Sequence, residues 1–139
     1  MAANLNKKKI VFASTISLTQ NLFLNHLQKF FYNKGYDVYS ICKDPENLIN
    51  KNTKKINIIF LTKYLDFLNL INIIKQILTI IKINSTLKKP IFLVNTPVAA
   101  HFIRMALFFS NPKIVYFVHG YRFHSKTKFF KRILFQILE

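Results

Sequence analysis

A chain of 139 residues, 51% of them hydrophobic, is long enough for one folded domain and too apolar for intrinsic disorder. Its 21 lysines and arginines against 5 aspartates and glutamates give a net charge of +16, which favours anionic partners and leaves few carboxylates for a carboxylate-based metal site. The single cysteine, Cys42, excludes a disulfide framework and a Cys-based zinc site, and no metal is expected.

Lys9 to Ala13 reads as the first strand. Lys7, Lys8 and Lys9 mimic the start of a secretory signal, but the apolar run after them ends at Ser14-Thr15, short of the roughly 7–15 residues a signal needs. No apolar run approaches the ~20 residues of a membrane span, so a cytoplasmic location is the expectation. Ser14, Thr15 and Ser17 make a hydroxyl-rich loop, a composition ordinarily used for local turn hydrogen bonds. A helix follows from about Thr19 to Asn33, with Phe23, Leu27, Phe30 and Phe31 as its core-facing stripe and Gly35 as its C′ residue. Tyr36 to Cys42 is the second strand and Ile56 to Leu61 the third, joined by a polar loop.

A long helix runs from Asp66 to about Ile83. Asn69, Asn72, Lys75, Gln76, Thr79 and Lys82 trace one narrow polar stripe, and most other positions are Leu, Ile or Phe. Such a helix buries more than half its circumference, either between the sheet and a neighbouring element or against a membrane surface.

Pro90 to His124 carries the densest signal. Ile91 to Val94 is a short apolar run, as in a strand buried on both faces of a parallel sheet. Thr96 suits the N-cap of the next helix and Pro97 its first position. Asn111-Pro112 stops that helix, Lys113 to Val118 reads as another buried strand, and Thr127 to Glu139 begins a last helix. Asn95 and Thr96, then His119, Tyr121, Arg122 and His124, gather just past the C-terminal ends of two strands, the edge at which open α/β sheets bind ligands. The alternation of strands and helices predicts a single α/β, Rossmann-like domain whose parallel sheet has about five strands in the order 3-2-1-4-5. Gly35 and Gly120 are the only glycines, so the dinucleotide fingerprint is missing and no nicotinamide or flavin cofactor is expected.

The same stretch resembles a known family. Asn95-Thr96-Pro97-Val98-Ala99-Ala100, followed by Arg104-Met105-Ala106, is similar to the His-Thr-Pro-Val-Gly-Gly…Arg-x-Ala segment of family 4 glycosyltransferases. Lys113 to His124 (KIVYFVHGYRFH) resembles their Lys-Val-Ile-Tyr-x-x-His-Gly-Phe-x-Phe block, and the opening Ile10-Val11-Phe12-Ala13-Ser14-Thr15 resembles their first strand and loop. Asn95 stands where the family has His, and Ala99-Ala100 where it has Gly-Gly, a pair of methyl groups that would crowd a ligand approaching the backbone.

The resemblance implies the N-terminal, acceptor-side half of a retaining enzyme of the two-domain GT-B arrangement. That enzyme transfers a sugar from a nucleotide-sugar to a polysaccharide or glycolipid acceptor, as in assembly of the cell envelope. It implies His119 as the catalytic-site histidine facing the transferred sugar. It implies Ser14, Thr15, Ser17, Asn95, Thr96, Arg104, Tyr121, Arg122 and His124 as acceptor-binding residues. It implies no cofactor beyond the nucleotide-sugar substrate, and a donor-binding half absent from residues 1–139, leaving this chain inactive alone.

A non-catalytic basic module binding nucleic acid or an anionic membrane surface is the alternative. Arg122 to Arg132 (RFHSKTKFFKR) interleaves basic and aromatic residues, but its aromatics fall at core-like helical spacing, which argues against nucleic acid. The charge of +16 and the wide apolar face of the long helix favour peripheral contact with an anionic membrane.

Overall fold

The computed structural model describes residues 7–58, 60 and 70–118. Five parallel strands form one sheet in the order β3-β2-β1-β4-β5. They are β1 (Lys9–Ile16), β2 (Asp37–Lys43), β3 (Lys54–Asn57), β4 (Ile91–Val94) and β5 (Lys113–Tyr116). The expected fold class and strand order are both found. β1 is central because its apolar residues are paired on both edges: Ile10 to Ala13 lie in register with Val38 to Ile41 on one side and with Ile91 to Val94 on the other.

Successive side chains of a strand point to opposite faces, and β1 shows the consequence. Val11 and Ala13 join a core cluster with Ile41, Phe92, Val94 and residues of α3 (Leu70–Thr86) and α4 (Pro97–Ala106). Ile10 and Phe12 join the opposite cluster, with Val38, Leu93 and Leu24, against the helical segment of residues 17–33. The result is three layers, helices on both faces of a buried parallel sheet.

Several boundaries differ from the sequence expectation. β1 runs on to Ile16 instead of stopping at Ala13, and its pairing slips register between Ala13 and Ile16. The hydroxyl-rich residues Ser14 and Thr15 therefore belong to an irregular strand end. β3 begins at Lys54, earlier than the apolar run suggests, because its backbone pairs with Tyr39 to Cys42 whatever its side chains are. β5 is half-exposed, with Val115 open, since it is the sheet edge among the described residues, and it ends at Tyr116, before the expected Val118. Residues 61–69 and 119–139, on which the expected start of the long helix and the expected last helix fall, lie outside the described residues.

The first helical segment also differs in its buried face. It comprises α1 (Ser17–Thr19), a π-wound turn (Gln20–Leu24) and α2 (Asn25–Asn33). Phe23 and Phe30, expected in the core, are exposed, while Gln20, Leu24 and Gln28 are buried with Leu27 and Phe31 packed beside them. The wider π turn shifts the side-chain sequence around the axis, so a 3.6-residue period laid over residues 19–33 misses the face. α2 ends as expected at Gly35 (φ +82°): Tyr36 N–H donates to Phe31 O and Gly35 N–H to Tyr32 O, the paired bonds of a Schellman motif.

α3 closes with the same two bonds, Lys89 N–H to Asn84 O and Lys88 N–H to Ser85 O, but with Lys88 (φ +57°) where glycine is usual and Lys89 (φ +58°) after it. Its inner face carries Ile80 and Ile83, and also Gln76 and Asn84, both buried with an amide oxygen that meets no partner among the described residues. Its outer face carries Leu70, Ile71, Ile74, Leu78 and Ile81, all exposed. At ~100° per residue these five project within about one third of the circumference. The expected polar stripe is thus split: Gln76 faces inward, while Lys75, Thr79 and Lys82 stay in solvent. Among the described residues, no helix is long and apolar enough to cross a membrane.

Candidate functional site

The ends of β1 and β4 lie side by side, Ala13 opposite Val94, and the chain beyond each turns across the C-terminal edge of the sheet. Asn95 N–H donates to Ala13 O (3.0 Å), Thr15 N–H donates to Thr96 Oγ1 (3.2 Å), and Phe117 N–H donates to Val94 O (2.8 Å). Three strand ends are therefore stitched together at one level. Ser14 Oγ donates to Ile16 O at 2.7 Å, which supports the kinked end of β1. Ser17 is buried at the first position of α1.

Ser14, Thr15, Ser17, Asn95 and Thr96 are thus gathered at the C-terminal edge of the sheet. Arg104 is not part of that cluster in its contacts: it projects from α4 and stacks on Tyr116 of the edge strand, 5.5 Å from guanidinium carbon to ring centre. His119, Tyr121, Arg122 and His124 lie outside the described residues, as does the basic-aromatic stretch Arg122 to Arg132. Ala99 and Ala100 are packed into the core between α4 and the sheet, so their methyl groups face away from any ligand at the edge.

Asn95 is the unusual member. It is 6% exposed, and neither its amide oxygen nor its amide nitrogen meets a hydrogen-bond partner among the described residues. A buried side-chain amide left unpaired costs about 1–3 kcal/mol per group, and a full set of partners for this one comprises both a donor and an acceptor. Thr96 takes the N-cap position of α4 with extended backbone, as the sequence predicts, but its hydroxyl makes no capping bond. That oxygen serves the β1 loop instead, holding the loop against the start of α4.

A buried polar pair lies directly beneath the β1 loop, and sequence reading missed it. Gln20 Nε2 donates to Ile41 O (2.9 Å) and Phe12 O (3.3 Å), while Gln28 Nε2 donates to Gln20 Oε1 (2.7 Å) and Ser40 Oγ (3.2 Å). These amides tie the π-wound turn to β1 and β2, fixing where the loop of Ser14 to Ser17 leaves the sheet. Their spacing of eight residues would place both on one helix face, the signal a sequence reader had available.

Cys42, on β2, is buried, and burial pushes its thiol up to about 12, with Asp44 and Glu46 adding repulsion against the thiolate. The protonated form is favoured in the fold, so this contribution to stability is intact below the ordinary thiol value and is lost as pH rises from about 9 to about 12. We expect iodoacetamide to label native Cys42 on the order of 10³-fold more slowly at pH 8 than the urea-unfolded chain, since only thiolate reacts. Equal labelling rates would show an accessible thiol. Among the described residues no group of three His, Cys, Asp or Glu is placed to hold a metal ion.

A family model described as glycosyl transferase 4-like matches residues 9–138, nearly the whole chain. No curated protein matches this chain. No solved structure matches it either.

Proposed function

This chain belongs to the glycosyl transferase 4-like family, and from that membership we propose that its C-terminal sheet edge is the acceptor side of a retaining glycosyltransferase. The sugar donor is a nucleotide-sugar, and the acceptor is a polysaccharide or a lipid-linked glycan. The observation that carries this reading is Asn95, a buried amide that meets no partner at either end among the described residues, set among Ser14, Thr15 and Thr96 at the sheet edge where α/β folds take ligands.

In this reading the Asn95 amide orients one acceptor hydroxyl, its N–H donating and its C=O accepting. The Ser14 to Ser17 loop, fixed from below by Gln20 and from the side by Thr96, forms one wall. The described chain leaves this same edge after Phe117 and Val118. His119, by resemblance, hydrogen-bonds the transferred sugar as charge develops on it, a contact whose loss costs about 10²-fold or more in rate. Tyr121, Arg122 and His124 add acceptor contacts in the same proposal. Arg104 contributes through its packing on Tyr116. The nucleotide-sugar is held by a second Rossmann-like half, because positioning donor against acceptor supplies on the order of 7–11 kcal/mol of the barrier reduction.

Asn95→Leu tests this with two readouts. Removing two unpaired buried polar groups should leave the thermal midpoint unchanged or raise it, by up to about 1 kcal/mol of stability. The same variant should weaken binding of an oligosaccharide panel to the 139-residue chain by tenfold or more, followed by NMR titration. Unaltered saccharide binding would remove Asn95 from the site. A midpoint lowered by several degrees would show that its role is structural.

A further inference from the structure

We propose that the opposite, N-terminal edge of the sheet is a docking surface for an anionic lipid bilayer, with a lysine-lined cavity that takes the phosphate of the lipid headgroup. This inference is independent of the acceptor site and lies on the other side of the domain.

Lys7, Lys8, Lys9, Lys88, Lys89 and Lys113 line a cavity of about 310 Å³ where β1, the end of α3 and β5 begin or end together. Among the described residues, no acidic side chain lines it. Six ammonium groups around one concavity repel one another, and an anion of concentrated charge removes that repulsion. Lys88 and Lys89 also occupy left-handed backbone, which costs a non-glycine residue about 1–2 kcal/mol. At the matching turn after α2 the position is Gly35, so the fold keeps lysines at the end of α3 against the local preference.

Apolar groups adjoin this basic cavity, which favours a lipid over a free phosphate compound. Lys88 and Lys89 are shared with a second cavity, lined also by Asn84, Ser85 and Ser110. Asn84 is buried, and its amide oxygen meets no partner among the described residues, which leaves it available to a headgroup hydroxyl such as that of phosphatidylglycerol. Ser110 closes a short turn whose other residues, Phe108 and Phe109, are 77% and 98% exposed and stacked edge to face at 5.1 Å. Ser85 continues the helix side that carries Leu78 and Ile81 in the exposed stripe of α3, with Lys75 and Lys82 flanking it. Aromatics and aliphatics ringed by lysines, without intervening carboxylates among the described residues, match the acyl boundary and the phosphate layer of an anionic leaflet.

The experiment is vesicle sedimentation of the 139-residue chain, with inorganic pyrophosphate titrated separately by calorimetry. We expect binding to phosphatidylcholine vesicles containing phosphatidylglycerol, and little to phosphatidylcholine alone. Neutralising three lysines (Lys88→Gln, Lys89→Gln, Lys113→Gln) should weaken it about 100-fold, at roughly fivefold per lysine. Phe108→Ser with Phe109→Ser should weaken vesicle binding about tenfold and leave any pyrophosphate binding unchanged. Lys88→Gly with Lys89→Gly controls for folding, because it relieves the left-handed backbone and should raise the thermal midpoint while still weakening vesicle binding. Equal binding to neutral and anionic vesicles would overturn the proposal. So would pyrophosphate binding without vesicle binding, which would identify a soluble anion, or a concentration-dependent dimer abolished by the phenylalanine changes, which would identify a second copy as the occupant.

Discussion

Gln20→Leu is expected to lower the unfolding free energy by about 2–4 kcal/mol, measured by urea denaturation of the 139-residue chain. Leucine fills most of the volume, so the loss comes from polar groups and not from a cavity. The carbonyls of Phe12 and Ile41 lose a donor, and Gln28 loses its shortest acceptor while keeping Ser40 Oγ. All of these groups are deep inside, where an unmatched donor costs more than a satisfied one contributes. Gln28→Leu alone strands Gln20 Oε1 in the same way. The double variant removes both partners together, so its cost should fall short of the sum of the singles by about 1 kcal/mol or more. Strict additivity would show that the two amides act separately.

The larger loss is expected at Phe102→Ala, about 3–5 kcal/mol. Phe102 is 1% exposed, in the cluster that joins α4 to the sheet, with the ring of Phe60 at 6.2 Å. Alanine removes the ring and leaves a void in a close-packed cluster that relaxes only in part to fill it. A domain of this size holds about 5–15 kcal/mol in total, so a thermal midpoint lower by roughly ten degrees or more should follow. Phe109→Ala is the internal comparison: the same chemistry at an exposed position should change stability by no more than about 0.5 kcal/mol. Similar losses at both positions would contradict the described packing.

The architecture was legible because the strands that matter most are bare apolar runs. Ile10 to Ala13 and Ile91 to Val94 are uninterrupted, and their pairing follows from hydrophobicity alone. Hydrophobicity misled where the core is polar. Gln20 and Gln28 are buried because the π turn aims them at strand carbonyls, while Phe23 and Phe30 were claimed for the core on a regular helical period that the chain does not keep. The same bias placed the outer face of α3 in contact with something, where the described residues leave Leu70, Ile71, Ile74, Leu78 and Ile81 open. At the sheet edge, spacing placed Asn95 and Thr96 just past the C-terminal end of β4, and the structure has them there. That Thr96 would serve the β1 loop and not its own helix needed coordinates, because the partner is 81 residues away in sequence.

The central position of β1 has a consequence for synthesis. Its neighbours arrive at very different times: Val38 to Ile41 follow within about 30 residues, but Ile91 to Val94 come some 80 residues later. At the ribosomal rate of roughly 5–20 residues per second, one side of Val11, Phe12 and Ala13 waits about 4–16 s for its partner strand. During that interval a nascent chain carrying β1, β2 and β3 exposes an unpaired apolar edge that offers a template to any other extended chain nearby. Slowing translation between Asn57 and Pro90 should therefore increase aggregation of nascent chains, and a holdase that binds extended apolar segments should engage this protein during that window and release it once β4 has emerged.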